Sequence, residues 1–147
     1  ARLLLAHLVD PSDAVARWST ILTIGGRSLI DDLEAIETDD EVFRAYLDDV
    51  ALAVVRAQGG ALFVGPMLHA ADDPAGLTRT HDTVTTFAPP AGDTARVFAM
   101  NLRVLTDRGE VDARPSLAAA LDAIAAGERP GTPVRWHVRQ IAWERTG

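Results

Sequence analysis

In 147 residues the chain carries 21 acidic side chains against 14 basic ones, all of them arginine, and no cysteine, for a formal net charge of −7. Without lysine there is no Schiff base, pyridoxal phosphate anchor or phosphate-binding lysine. Without cysteine there is no thiol nucleophile, thiolate metal site or disulfide, and a chain this acidic does not read as a nucleic-acid binder, which needs a basic patch.

The opening apolar run, Leu3 to Val9, reads as a short buried strand or a helical stub and stops at Asp10-Pro11. Ser12 is placed to cap a helix carrying Val15, Trp18, Ile21 and Leu22, with Thr20 to Ile24 as a competing strand. Gly25-Gly26 breaks that helix, and Ser28 with Asp31 has capping-box spacing, so Asp31, Asp32 and Glu34 are expected in the first turn of a new one. Thr38 with Glu41 forms a second box, opening a helix whose face is Val42, Tyr46, Val50, Val54 and Ala57 and whose stop is Gly59-Gly60. Ala61 to Val64 reads as a strand leading into a polar segment, Gly65 to Asp82, and Val84 to Ala88 as the next strand.

Phe98, Met100, Leu102 and Val104 alternate, which predicts a strand over 97–105, with Asn101 and Arg103 on its other face and a hairpin turn at Thr106 to Gly109. Pro115-Ser116 opens an alanine-rich helix ended by Gly127. Val134 to Trp143 closes the chain as a strand in which Arg135, His137 and Arg139 share one side. These elements predict one α+β domain over 1–147, helical over about 12–58 and sheet-rich over about 60–147. Its helices would pack on one face of a two-layer, mainly antiparallel sheet of about 4–6 strands.

No apolar run reaches the roughly 18–20 residues of a membrane-spanning helix, so no membrane partner and a soluble, cytoplasmic protein are expected. The start at Ala1 suggests a processed chain or a segment of a longer one. Charge is uneven: 5 arginines against 11 acids over residues 1–58, 1 against 4 over 59–93, and 8 against 6 over 94–147. Pairing of the late arginines with the acids between Asp31 and Asp49 accounts for that asymmetry without a ligand.

The polar segment crowds together the groups able to do chemistry. Here His81 is the expected acid–base residue, oriented by Asp72 or Asp73, with His69 and Arg79 in reach of a ligand. The cationic stripe of Arg135, His137 and Arg139, extended by Arg103, is a second place for a small acidic ligand. A metal held by His69, His81 and an aspartate lacks any recognised spacing, so no metal is assigned. Gly60 to Val64 followed by His81-Asp82 resembles in outline the nucleotide-binding domain of diadenylate cyclases, but Thr83-Val84 stands where that family has Gly-Ala, and its Arg-His-Arg motif is absent.

Two functions follow as expectations. The first is a non-catalytic ligand-sensing or protein-interaction domain, homo-oligomeric or part of a larger assembly, with Ile141 and Trp143 as the apolar residues meeting a partner. The second is a small-molecule enzyme using His81 with Asp72, Asp73 or Asp82 as an acid–base pair in the 69–82 segment, with Arg79 or the Arg135–Arg139 face binding an acidic substrate.

Overall fold

Three strands carry the architecture: β1 (Arg27–Glu37), β2 (Leu77–Phe87) and β3 (Arg135–Arg145), hydrogen-bonded in the order β1-β3-β2. The computed structural model describes residues 1–146. Both pairings are antiparallel: Arg27 reaches Glu144 while Glu34 reaches Arg139, and Thr78 meets Thr146 while Thr86 meets His137. The α+β class stands, but the described sheet has three strands where four to six were expected. Between the strands lie α1 (Pro11–Ser19), α2 (Glu41–Tyr46), a π turn (Leu47–Ala51), α3 (Leu52–Ala57), α4 (Gly65–Ala70), α5 (Ala91–Asp107) and α6 (Pro115–Ala126). Among the described residues no helix is long and apolar enough to cross a membrane.

By internal contacts the chain divides into two compact units, one of residues 1–35, 58–86 and 136 onward, the other of residues 36–57 and 87–135. In the first, one face of the sheet is apolar: Ile30, Leu77, Ile141 and Trp143 pack with Leu5 and Ala6 of a 3-10 turn, Val15 of α1, Val64 just ahead of α4 and Leu68 within it. Ile141 and Trp143 are thus core residues, 1% and 2% exposed, not the partner-facing pair expected. Asp32 shares this face and is buried. Its two oxygens accept from the backbone N–H groups of Leu5 and Leu33, so its polar atoms are satisfied.

Two expected elements change type. Residues 28–37 form β1, not a helix start, because Ile30, Asp32 and Glu34 alternate onto the sheet face where tertiary partners take up both carboxylates. The expected strand at 97–105 lies within α5, whose buried side follows helical spacing through Ala95, Phe98, Ala99 and Leu102 while Val97, Met100 and Val104 face outward. The hairpin expected at 106–109 is therefore the end of that helix. Ala61–Val64 forms no strand, and Asp10 rather than Ser12 caps α1, accepting from Asp13 N at 2.8 Å.

In the second unit, Phe43 of α2 meets Phe98 of α5 edge-on at 5.8 Å and Tyr46 stacks on the same ring at 4.1 Å. α6 ends at Gly127 in the left-handed conformation, φ 77°, as its sequence implies.

β2 contains an irregularity that matters for the site. Arg79 lies over the Trp143 ring, whereas Asp82, three residues on, bonds Arg139 of the same β3 face. Two residues an odd number apart share a face only if the alternation breaks between them, so an extra residue is accommodated at Thr80-His81, as in a β-bulge.

Candidate functional site

The candidate site forms where α4 meets the sheet in the first unit. α4 begins at Gly65-Pro66, which suits a helix start, and presents His69 in its last turn. A methyl group on Gly65 would meet the Glu34 carboxylate and come within 3.0 Å of Glu34 Cα and the Leu33 carbonyl oxygen. Only glycine lets α4 approach β1 this closely. Gly65→Ala is expected to lower stability by about 1–3 kcal/mol in urea unfolding. An unchanged midpoint would show that the two backbones are not in contact there.

Arg79 fastens α4 to β2. A guanidinium has five N–H donors, and all five are engaged: Nε on Asp73 at 3.0 Å, Nη1 on Asp82 at 2.9 Å and the His69 carbonyl at 3.0 Å, Nη2 on the Leu68 and Ala71 carbonyls at 3.2 and 2.8 Å. The Leu68 and His69 carbonyls are among those a helix C-terminus leaves unpaired, and Ala71 is the residue that follows the helix. Arg79 therefore acts as a C-cap for α4 delivered from a strand. Its guanidinium carbon lies 5.6 Å from the Trp143 ring centroid, and the indole N–H donates to Asp73 at 2.9 Å.

Arg139 of β3 forms the second node. It grips Glu34 in a bidentate fork, Nε to Oε2 at 2.6 Å and Nη2 to Oε1 at 2.9 Å, and its Nη1 bonds Asp82. Its side chain is only 11% exposed. The hydrogen bonds from Arg139 to Glu34, against the cost of burial, and the contact with Asp82 raise its already high pKa. Burial alone would raise the Asp82 carboxyl, but bonds from His69 and Arg139, the charge of Arg139 and a further bond from Arg79 hold it below the ordinary carboxylate range. Asp73 is likewise lowered: burial opposes, and the Trp143 indole and Arg79 more than compensate.

His69 completes the cluster, with its Nδ1 2.8 Å from Asp82 Oδ2. An ionised carboxylate only accepts, so the shared proton belongs to the imidazole. The 3.1 Å approach of Arg139 Nη1 to the same nitrogen then brings two donors together and is a neighbour contact, not a second hydrogen bond. With Nδ1 carrying the proton, the neutral ring has its lone pair on Nε2, and the side chain is 60% exposed.

The residues singled out in the sequence divide accordingly. His69, Asp73, Arg79, Asp82 and Arg139 converge here, joined by Glu34. Asp72 is exposed in the turn after α4, and His81 is exposed on β2. Among the described residues the His81 side chain makes no hydrogen bond or ion pair, and Asp73 belongs to Arg79 and Trp143, so the expected His81 pairing is replaced by His69 with Asp82. His137 Nδ1 bonds Thr86 Oγ1 at 2.9 Å. Arg135 pairs with Glu37 at 2.8 Å. Arg103 lies on α5, not on a strand, and meets Asp122 at 2.5 Å, so it does not extend the cationic stripe. Glu34 was missed because the spacing of Ser28 and Asp31 suggested a helix start that took Glu34 into its first turn; the period-two run Ile30, Asp32, Glu34 was the signal pointing to β1.

Among the described residues no three histidines or acids converge to hold a metal ion. No protein-family model matches the chain, and none of the curated proteins compared with it is similar in sequence.

Proposed function

We propose that the protein is a small-molecule enzyme in which His69 is the acid–base residue and Asp82 its orienting carboxylate. The observation that carries this reading is the 2.8 Å contact from His69 Nδ1 to Asp82, which puts the shared proton on Nδ1 and, in the neutral ring, makes Nε2 the acceptor of an exposed side chain. Arg139 and Arg79 hold Asp82 from two sides, so the carboxylate stays ionised and fixed as the histidine exchanges protons. The arginines therefore serve the carboxylate first. The alternative, a non-catalytic sensing or interaction domain, loses the anchors proposed for it, since Ile141 and Trp143 are in the core.

Nitrogen NMR of the imidazoles tests the dyad in the free protein. At pH 8 the His69 ring is expected with its proton on Nδ1, and Asp82→Asn is expected to shift the population toward the Nε2 tautomer. A wild-type His69 ring protonated on Nε2 would overturn the assignment. Turnover is tested against small hydroxy and amino esters, hydroxy lactones and hydroxy ketones, where His69→Gln is expected to cost about 10²–10⁴-fold. Equal rates in the two proteins, or no turnover of any substrate in the panel, count against the enzyme reading.

A further inference from the structure

We infer that the molecule taken up at His69 is a hydrogen-bond donor, an alcohol or an amine, and not a carboxylate or phosphate. The inference rests on the His69–Asp82 reading above and adds the class of ligand.

Two independent features lead to it. The first is the tautomer. Because Nδ1 donates to Asp82, the outward Nε2 of the neutral ring is an acceptor. A hydroxyl or ammonium group satisfies it directly, whereas a carboxylate or phosphate brings acceptors to an acceptor.

The second is the state of the cations. All five Arg79 donors are engaged, leaving no guanidinium edge to offer an anion. Arg139 is held by two carboxylates at once. Glu34, Asp73 and Asp82 against Arg79 and Arg139 leave the cluster with one formal negative charge while His69 is neutral. An anion would meet net repulsion, and an ammonium group net attraction.

Four matched probes separate the classes: propylammonium, 1-propanol, propionate and inorganic phosphate, each titrated at pH 8 and constant ionic strength while the His69 Nε2 resonance is followed. Propylammonium or propanol is expected to shift it saturably, in roughly the millimolar range for so small a ligand. His69→Gln is expected to abolish the accompanying backbone shifts. Propionate and phosphate are expected to leave the wild-type resonance in place. Glu34→Gln, which removes a negative charge and leaves one of the two Arg139 donors on Glu34 without its acceptor, is expected to admit them. Saturable binding of either anion to the wild type, or no response to either donor, overturns the inference. Because the tautomer of the free protein is measured in the same spectra, an intact Nδ1–H ring that binds anions defeats only the ligand class, whereas an Nε2–H ring defeats the dyad itself.

Discussion

Replacing Arg139 with methionine is expected to lower the melting temperature by about 10 °C, from a loss of roughly 3–5 kcal/mol. The loss comes less from the missing attraction than from what is left behind. Glu34 and Asp82, whose side chains are 21% and 15% exposed, would keep their charges without the cation that compensates them. Adding Glu34→Gln to Arg139→Met removes one stranded charge and is expected to recover part of the loss. If the double variant is no more stable than the single one, the arrangement of charges is not what the site depends on.

The same variant carries a pH signature. Asp82 is held below the ordinary carboxylate range in the folded protein, so its contribution to stability is complete above the unfolded value of about 3.9 and is lost as pH falls through the lower folded one. Arg139 is one of the groups holding it down. In Arg139→Met the Asp82 contribution is therefore smaller throughout and disappears at higher pH on acidification.

Trp143→Ala is the second large effect, expected to cost about 3–5 kcal/mol in urea unfolding followed by far-ultraviolet circular dichroism. The ring is 2% exposed and fills the core beneath α1 and α4. It is also the platform under Arg79 and the donor to Asp73, so its loss loosens the cap on α4 as well as leaving a cavity. Trp143→Phe separates these contributions: it retains most of the packing and removes the indole N–H, with an expected cost of about 1–2 kcal/mol. A phenylalanine variant as unstable as the alanine one would assign the effect to the hydrogen bond instead of the volume.

The parts of the fold legible in sequence are those whose determinants are local. The α2–α3 stretch announced itself through its acidic start and Gly59-Gly60, α6 through Pro115 and Gly127, and β3 through its alternation. What was misread depended on distant partners. In β1 the charges of Asp32 and Glu34 resemble a helix N-terminus until Leu5 and Arg139, far away in the chain, are seen to hold them. In α5 the outward-facing Met100 and Val104 combine with the buried Phe98 and Leu102 to imitate a strand. The site divided in the same way: the 69–82 segment was visible as a concentration of chemistry, but which histidine met which carboxylate was decided by α4 and the irregular strand.

The extra residue at Thr80-His81 also predicts where this strand tolerates a change in length. On the N-terminal side of it, Thr78 lies against Thr146 and Arg79 over Trp143; on the other side, Thr85 lies against Gln140 and Thr86 against His137. Deleting one residue at 80 or 81 removes the surplus and leaves both sets of partners aligned, whereas a deletion at 84 slides everything on one side of the cut onto the wrong neighbours. An alteration usually ruinous inside a β-strand thus has one safe address here, two residues wide.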